Sequence, residues 1–380
     1  MARPLRVLVV TDEMEVGGSQ RQICYLVEEL AQSRGCHVEL LYFREHSFLV
    51  DALRAQGVRV TCLPKRRRVD LAFLRALRAF LAEGRFDIVH AYSLTAECWI
   101  TLAASGLRPR PQVVATVRGT FHVYRRWQWW IKRWVLSRAG AVIANARAGA
   151  DLAAARTGFP RERIDVIPNG VQLSAPSPRD AAHARPAPKI SQRLDALFVG
   201  RLVFEKGLPL LLDALASMPP ARRPRLTLAG DGPLREELEL QVAALGLDDD
   251  VVFLGARSDV GTLMDGADFL VLPSREEGLS NVVMEAMAHA LPVLVSDAGG
   301  NPELVEDGRT GLVFASGNGA ELVRALERMV DDRVLRTRLG AAARARIAET
   351  FTIDSMVRRT EAVYRRLLGD EAWVERKEAA

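Results

Sequence analysis

The segment FLVLPSREEGLSNVVMEAMAHALPVLV, residues 269–295, holds a strand, a loop, a helix and a second strand in one short unit. Its first four residues and its last three are all apolar, and such continuous apolar runs are typical of strands buried on both faces. Between them a helix is predicted to begin at Asn281, with Ser280 as its N-cap. A strand, a helix and a further strand in this order indicate a parallel βαβ unit, so the segment predicts an α/β fold.

The same alternation of apolar strands and helices runs through the chain in two cycles. Strands are predicted at residues 5–11, 36–43, 58–63, 86–91, 112–117 and 140–144, and then at 196–200, 225–229, 251–254, 269–272, 293–295 and 312–314. Residues 172–189, rich in Ser, Pro and Ala, separate the two cycles and have the character of a linker. We therefore predict two doubly wound, Rossmann-like domains. Because ligands of open α/β sheets bind beyond the carboxyl ends of the strands, the two sheets are expected to face an interdomain cleft.

The composition is that of a globular protein and excludes several classes. The 380 residues are 49% hydrophobic and 26% charged, so wholesale disorder is excluded. The four cysteines, Cys24, Cys36, Cys62 and Cys98, form no C-x-x-C pair, which argues against a disulfide scaffold or a cysteine-ligated zinc site. No apolar run approaches the roughly 18 residues that span a bilayer, and the first apolar run is interpreted as a strand, not a signal peptide. We expect a cytoplasmic protein.

One stretch of the chain is basic and rich in tryptophan. Between Glu97 and Asp151 the sequence has no carboxylate, and four tryptophans fall at positions 127, 129, 130 and 134. On a helical wheel, one face carries Trp127, Trp130, Ile131, Trp134 and Val135, and the other carries Arg125, Arg126, Lys132 and Arg133 together with Trp129 and Leu136.

Two interpretations of this helix are open. In the first, the Trp127 face packs on the core of its own domain and the bases are solvated. In the second, residues 124–138 bind an anionic membrane surface, which the apolar Trp129 and Leu136 among the bases favour. The basic run at residues 65–68 fits either interpretation. Nucleic-acid binding is not expected, because the chain shows no recognised nucleic-acid module and its net charge of +5 is modest.

Two loops at predicted strand ends suit a phosphate group. The first, TDEMEVGGS at residues 11–19, is not a G-x-G-x-x-G fingerprint, so a nicotinamide-dependent dehydrogenase is disfavoured. Its Gly17 and Gly18 open a helix whose N–H groups can receive a phosphate, although a simple tight turn explains them equally well. The second loop carries Arg201 and Lys206, two cations able to neutralise a diphosphate, or else ordinary surface residues.

The loop and helix after residue 272 carry two acidic side chains. Glu277 lies in the loop and Glu285 lies one turn into the helix, so both flank the same helix N-terminus. The N–H groups between them suit a diphosphate, and each carboxylate can accept hydrogen bonds from sugar hydroxyls. Because the helix is otherwise apolar, an unpaired Glu285 would be costly, and we expect it to have a polar partner.

On these residues the chain resembles family 4 of the glycosyltransferases, retaining enzymes of the GT-B fold that use sugar nucleotides. The most specific motif is E-G-x-S-N-x-x-M-E-A-M-A, which begins at Glu277. The resemblance implies that Glu277 holds the hydroxyls of the donor sugar and Glu285 those of the ribose. It places Arg201 and Lys206 on the donor diphosphate and the glycine loop beside the leaving group.

The resemblance also implies which residues form the site, and it implies that the chain has three functional parts. The implied catalytic residues are Arg201, Lys206, Glu277 and His122, and the implied donor-binding residues are Gly17, Gly18, Arg201, Lys206, Gly278, Leu279, Ser280, Asn281 and Glu285. His122 falls where the family often has a histidine near the donor sugar. Arg257 is a further donor-binding candidate from its position alone, because it follows the predicted strand that ends near Gly255, and it is expected near the base. Residues 1–180 would bind the acceptor and residues 190–353 the nucleotide sugar, while residues 354–380 form a last helix that crosses back to the first domain.

No metal or other cofactor is expected. The run Asp248–Asp250 looks like a metal-binding Asp-x-Asp motif, but it precedes a predicted strand rather than ending one, and we interpret it as a polar turn. Without a metal, Arg201, Lys206 and helix N-terminal amides would stabilise the leaving diphosphate. The resemblance implies retention of anomeric configuration.

The predicted function is therefore transfer of a sugar from a nucleotide sugar to a hydroxyl of a glycan or lipid-linked glycan. A sugar-nucleotide 2-epimerase of the same fold is the alternative. A catalytically silent protein that binds a sugar nucleotide or a membrane surface is a second rival, against which the intact phosphate cations argue. If the basic helix meets a membrane, we expect a peripheral protein on the inner face of the cytoplasmic membrane, working in cell-envelope polysaccharide biosynthesis.

Overall fold

A computed structural model of the chain describes residues 4–33, 36–44, 46–119, 124–173, 193–371 and 373–374. The chain divides into two compact units. The first unit consists of Met1–Gly170 together with Ile353–Ala380, and the second of Val171–Thr352. The division falls just before the Pro-rich spacer, most of which lies outside the described residues. The predicted α/β architecture with two parallel sheets is confirmed, and the two units have separate sheets and cores.

The sheet of the first unit is parallel throughout its described part. Its strands are β1 (Leu5–Glu13), β2 (Cys36–Arg44), β3 (Arg59–Cys62), β4 (Ile88–Ala91), β5 (Gln112–Val117), β6 (Ala141–Ala144) and β7 (Ile164–Val166). They lie in the order β3-β2-β1-β4-β5-β6-β7. The order reverses direction between β1 and β4, which is the doubly wound arrangement.

Helices cover both faces of this sheet. They are α1 (Gly18–Gln32), α2 (Phe48–Ala55), α3 (Leu71–Gly84), α4 (Leu94–Ala104), α5 (Arg126–Arg138) and α6 (Arg147–Thr157). A further helix from the far end of the chain, Ile353–Leu368, packs in the same core and buries Met356, Val357 and Tyr364 there. The first unit therefore needs two distant segments of the sequence to complete its core.

The face that helix α5 turns to the core only partly matches the one that the helical wheel predicts. The buried side chains are Trp129, Lys132, Val135 and Leu136, whereas Trp127 is 45% exposed and Trp130 78% exposed. Of the Trp127 face, Val135 is buried and Ile131 and Trp134 pack on the core, so the first interpretation holds for these residues and is wrong for Trp127 and Trp130. Lys132 is not among the solvated bases, and Trp129 and Leu136, which favour the membrane interpretation in the sequence, are also buried.

A buried ion pair explains which face of α5 is buried. Lys132 Nζ lies 2.7 and 2.6 Å from the two carboxylate oxygens of Glu97, and it also donates to the carbonyl oxygen of Thr116 at 2.6 Å. The second partner of Glu97 is the Thr116 N–H, which donates to it at 2.7 Å. Since a buried ammonium is tolerated only with such partners, this contact fixes the rotation of α5 over α4 and β5.

The second unit has the same doubly wound arrangement. Its strands are β8 (Asp195–Val199), β9 (Arg225–Ala229), β10 (Val251–Gly255), β11 (Phe269–Leu272), β12 (Val293–Ser296) and β13 (Leu312–Phe314), in the order β10-β9-β8-β11-β12-β13. Its helices are α7 (Leu208–Ser217), α8 (Arg235–Ala244), α9 (Val260–Gly266), α10 (Asn281–Ala288), α11 (Asn301–Leu304), α12 (Gly319–Asp331) and α13 (Arg333–Thr350). The last helix of the first unit, Ile353–Leu368, is α14. Among the described residues, no helix has both the length and the apolar composition that crossing a bilayer requires.

Candidate functional site

The strand order of the second unit creates a crevice between β8 and β11. The two strands pair in parallel, with Phe269 opposite Ala196, and the strands that follow them lie on opposite sides. The loops leaving their carboxyl ends therefore diverge and leave a gap, which is where open α/β sheets bind ligands. The loop after β8 carries Arg201 and Lys206, and the loop after β11 carries Glu277.

The structure brings Lys206 and Glu277 into direct contact. Lys206 Nζ lies 2.6 Å from Glu277 Oε2, and the same oxygen accepts a hydrogen bond from Ser274 Oγ at 2.8 Å. Both side chains are largely buried, with 20% of the lysine and 13% of the glutamate exposed. The two charges that the sequence predicts for a diphosphate and a sugar thus lie side by side in the protein alone. Ser274 is a member of this site that sequence reasoning missed.

Close backbone packing fixes the loop that carries Glu277. Gly299, at φ +57°, lies so near that a Cβ atom there would come within 1.8 Å of the Glu277 carbonyl oxygen. The N–H of the neighbouring Gly300 donates to the carbonyl oxygen of Gly278 at 2.8 Å. On the other side, Gly207 has φ +66° and its Cβ would meet the Pro273 carbonyl oxygen at 2.1 Å. Glycine at these positions lets the loops after β8, β11 and β12 approach one another.

Helix α10 begins at the same crevice. Ser280 occupies its N-cap position as predicted, but the serine side chain makes no capping hydrogen bond within the described part of the chain. The helix N-terminus at this crevice favours an anion through its dipole and its first-turn N–H groups. Glu285 is half-buried in the following turn, and it has a polar interaction as expected of a carboxylate in an apolar helix. Of the other predicted donor contacts, Leu279 is buried, whereas Gly278 and Asn281 are half-buried.

The remaining two cations of the predicted site differ in their surroundings. Arg201 is exposed immediately after β8, and no ion pair joins it to another described residue. Arg257 follows the edge strand β10 and forms a double hydrogen bond with Asp259, at 2.7 and 2.6 Å. The arginine lowers the pKa of the Asp259 carboxyl by hydrogen bonding to it. Arg257 is thus paired within its own loop, and this pairing does not connect it to Lys206 or Glu277.

The predicted glycine loop lies at the equivalent crevice of the first unit. Gly17 and Gly18 follow β1, beside β4, where the strand order of that sheet reverses. Gly17 is the N-cap residue of α1 and has an extended backbone. Among the described residues, no side-chain capping hydrogen bond is formed at this N-terminus. The first-turn N–H groups of α1 thus suit an anion as well. His122 lies outside the described residues.

The aspartate run before β10 is engaged with arginines. Asp250 is buried and pairs with Arg193 and with Arg223, the latter at 3.1 Å. As the sequence predicts, the run precedes the strand, which begins at Val251. Within the described ranges, no group of three or more His, Cys, Asp and Glu side chains is placed to share a metal ion.

Comparison with known families gives two matches that together span most of the chain. The family described as Glycosyl transferases group 1 matches residues 181–346, and Glycosyltransferase Family 4 matches residues 16–175. The α-D-kanosaminyltransferase of Streptomyces kanamyceticus is 30% identical over 249 residues, 63% of each chain. The putative glycosyltransferase EpsF of Bacillus subtilis is 31% identical over 305 residues, which cover 77% of this chain and 79% of that protein. The match to the first of these relatives therefore spans less than two thirds of its length.

Solved structures share the fold. Anabaena Alr3699/HepE in complex with UDP has a TM-score of 0.82 at 21% identity, and the match covers 95% of this chain and all of that one (100%). A glycosyltransferase from Rickettsia africae has a TM-score of 0.80 at 17% identity and covers 96% of this chain and 99% of its own. At these identities the likeness establishes the common architecture.

Proposed function

Given that the chain belongs to the family 4 glycosyltransferases and has their GT-B fold, we propose that it moves a sugar from a nucleotide-sugar donor to a hydroxyl group of a glycan or lipid-linked glycan. The observation that carries the proposal is the Lys206–Glu277 contact at the crevice between β8 and β11, next to the N-terminus of α10. A cation, a carboxylate and helix N–H groups meet there, which is the chemistry that a sugar diphosphate needs.

In this proposal the charge of the departing diphosphate is stabilised by the protein itself. Breaking the bond between the anomeric carbon and the phosphate oxygen builds negative charge on the diphosphate. Lys206, Arg201 and the first-turn N–H groups of α10 supply fixed positive charge and dipoles there, so no metal is required. Glu277 holds hydroxyls of the donor sugar and Glu285 those of the ribose. In the protein alone, Glu277 balances the Lys206 charge, so donor binding gives the ammonium a second anionic partner.

We further propose that the reaction retains the anomeric configuration, as the family resemblance implies. The acceptor oxygen forms its bond to the anomeric carbon on the face from which the diphosphate leaves. The proton of the acceptor hydroxyl passes to an oxygen of the departing diphosphate. Neither Glu277 nor Glu285 acts as a nucleophile in this scheme.

The names of similar proteins support the donor and acceptor classes. Anabaena HepE has been crystallised with UDP and with UDP-glucose, which favours a nucleotide-sugar donor. A relative in Rhizobium leguminosarum, 32% identical over 247 residues, is named as a lipopolysaccharide core mannosyltransferase, which favours a glycan on a lipid. We therefore propose a role in the synthesis of cell-envelope polysaccharide.

The exposed face of α5 supports peripheral binding to an anionic membrane. Trp127 and Trp130 are exposed beside the exposed bases Arg126 and Arg133. The guanidinium carbon of Arg68, from the basic run before α3, lies 5.1 Å from the centre of the Trp127 ring. The two basic segments therefore form one surface with tryptophan on it, the combination that binds interfaces of anionic lipids.

Acceptor-dependent release of nucleotide tests the proposed function. The full chain is incubated with each of a panel of nucleotide sugars, with and without glycan or lipid-linked glycan acceptors, and free nucleoside diphosphate is measured. We expect release with one donor class, dependent on acceptor and insensitive to EDTA, and a product with the donor's anomeric configuration by NMR. Conversion of the donor into its 2-epimer without acceptor would favour the epimerase instead. Loss of activity with EDTA, restored by manganese, would contradict the metal-free route.

A further inference from the structure

A small pocket lies beyond the carboxyl ends of β4, β5 and β6, within the first unit. Its polar lining includes His90, Tyr92, Thr116, Arg118 and Asn145. These residues lie at the ends of neighbouring strands, next to the point where the strand order of this sheet reverses. This is the ligand-binding edge of a doubly wound sheet.

Arg118 brings to this pocket a positive charge with which no described carboxylate forms an ion pair. Its Nη1 is buried and donates no hydrogen bond to any described residue, and its guanidinium carbon lies 4.7 Å from the centre of the Tyr92 ring. Burial lowers the pKa of the Arg118 guanidinium, and Tyr92 opposes that effect. The nearby carboxylate of Glu97 is engaged by Lys132, and residues 120–123 contain no acidic residue. Arg118 as a whole is half-buried, and its contacts with Tyr92 offset only part of the cost of desolvating the guanidinium.

His90 adds a neutral hydrogen-bond donor to the same pocket. Burial, with the Arg118 charge, lowers the pKa of His90 to about 3, so the ring is neutral near pH 7. Its Nδ1 lies 2.6 Å from the hydroxyl of Tyr364, and burial raises the pKa of that hydroxyl well above its usual range, so it keeps its proton. If the hydroxyl donates to Nδ1, the ring proton is on Nε2, which is buried with no partner among the described residues.

From this arrangement we infer that Arg118 and His90 bind an anionic oxygen of a phosphate or carboxylate group on a substrate. The pocket volume of about 20 Å³ admits about one or two oxygen atoms, not a sugar ring, so only the tip of the group enters. A water molecule would satisfy the hydrogen bonds but would leave the charge unbalanced. Asn145, whose Oδ1 is also buried without a described partner, can accept a hydrogen bond from a hydroxyl of the same substrate.

The inference rests on the proposed function for the identity of the substrate, since both a donor and an acceptor of a glycosyltransferase can carry phosphate. The anion is either the diphosphate of the donor or an anionic group on the acceptor. The chemistry at Arg118 is the same in the two cases. The experiment below detects the anion site without sugar transfer, so its outcome does not depend on whether the transferase assay succeeds.

Thermal unfolding with inorganic phosphate tests the inference. All six tryptophans, at positions 99, 127, 129, 130, 134 and 373, fall in the first unit, so unfolding followed by tryptophan fluorescence reports on that unit. Phosphate is titrated into the full chain at constant ionic strength, with wild type, Arg118→Gln, Arg118→Lys and Lys206→Ala compared. We expect phosphate to raise the melting temperature of wild type and of Lys206→Ala, and to bind Arg118→Gln about tenfold more weakly or worse. Without phosphate, Arg118→Gln should melt no lower than wild type, because it removes a half-buried charge that no described carboxylate balances. Loss of a purely structural arginine would instead lower the melting temperature.

Equal protection of wild type and Arg118→Gln by phosphate would overturn the inference. If Arg118→Gln does not fold, His90→Phe decides in its place: weaker protection supports the anion site and unchanged protection overturns it. A parallel titration with UDP then distinguishes the source of the anion. Weaker UDP binding by Arg118→Gln assigns the site to the donor diphosphate, and unchanged UDP binding with lost phosphate protection assigns it to the acceptor.

Discussion

Lys206 and Glu277 are 71 residues apart in sequence, yet Lys206 Nζ lies 2.6 Å from Glu277 Oε2. They come from the loops after two adjacent parallel strands, and Ser274 and Gly299 hold the acidic partner in place. The cation proposed for the diphosphate is thus neutralised within the site. A donor must share Lys206 with a carboxylate, and this limits the positive charge that the free protein presents to small anions.

Removing either proposed donor contact should reduce turnover strongly. We expect Lys206→Ala and Glu285→Ala each to lower kcat by about a hundredfold or more, the scale of losing one charge-stabilising or positioning contact. Donor-dependent nucleotide release is the measurement. Arg309→Ala is the control, because Arg309 is exposed and pairs only with Glu306 among the residues described. Wild-type turnover in either site variant would remove that residue from the site.

Gly299→Ala should destabilise the second unit and distort Glu277. The new methyl group would collide with the Glu277 carbonyl oxygen, in addition to the strain of a positive φ. Gly308 is a matched control, since it has φ +69° and a methyl group added there would meet no described atom within 4 Å. We expect Gly308→Ala to cost about 1–2 kcal/mol and Gly299→Ala clearly more, measured by urea unfolding. Equal losses in the free energy of unfolding for the two variants would mean that the loops around Gly299 move apart freely and would contradict this account.

Replacing one partner of the buried Lys132–Glu97 pair should lower the free energy of unfolding more than replacing both partners together. Lys132→Met or Glu97→Gln alone leaves an uncompensated buried charge and is expected to cost about 3–5 kcal/mol in the free energy of unfolding. The double variant keeps an acceptor for the Thr116 N–H and buries no charge, so it should recover most of that loss. Losses that simply add in the double-mutant cycle would contradict this account.

The stability of the first unit should fall in mild acid because of His90. Its folded-state pKa of about 3 lies below the usual value of 6.5, so the unfolded chain binds the extra proton between those pH values. Stability is therefore present above about pH 6.5 and declines as pH falls toward 3, by up to about 1.4 kcal/mol per pH unit. Urea unfolding at several pH values, followed by tryptophan fluorescence, should show a shallower decline for His90→Gln. His37→Gln, at an exposed position on β2, should keep the wild-type slope.

Binding to anionic vesicles should depend on the exposed tryptophans of α5. We expect Trp127→Ser/Trp130→Ser, and separately Arg126→Gln/Arg133→Gln, to reduce flotation with vesicles containing acidic lipids, with high salt weakening the wild type. Leu240→Ser/Val334→Ser is the control, because both side chains are exposed apolar residues of the second unit. Lys132 is left unchanged because it is buried. Flotation of the tryptophan variant equal to wild type would contradict the membrane proposal.

The fold could be predicted from the sequence largely because the buried strands are continuous apolar runs. Strand β7 (Ile164–Val166) was missed, since three residues with Asp165 in the middle show no usable pattern. The orientation of α5 was only partly predicted. A helical wheel counts Lys132 as polar, and its burial depends on Glu97, which lies 35 residues away in sequence and contacts it only in the folded unit.

The candidate site was partly predictable because the strand ends can be located in the sequence. Glycines, cations and acids at strand ends indicate a ligand-binding edge, so Arg201, Lys206, Glu277 and Glu285 could be selected as candidates. Their pairing could not, because it depends on which loops lie side by side. Arg118 and His90 carried no signal of their own in the sequence. An arginine after one strand and a histidine within another indicate an anion site only once the folded unit shows that no described carboxylate pairs with the arginine.

The position of α14 in the first unit has a consequence for biosynthesis. Tyr364 is fully buried and contacts His90, 274 residues earlier in the chain. As the polypeptide leaves the ribosome, residues 171–352 have all emerged before the helix that covers the first sheet is made. The nascent protein thus exposes an apolar surface of the first sheet until α14 has been synthesised, so the first unit cannot complete its core before the second unit has been made.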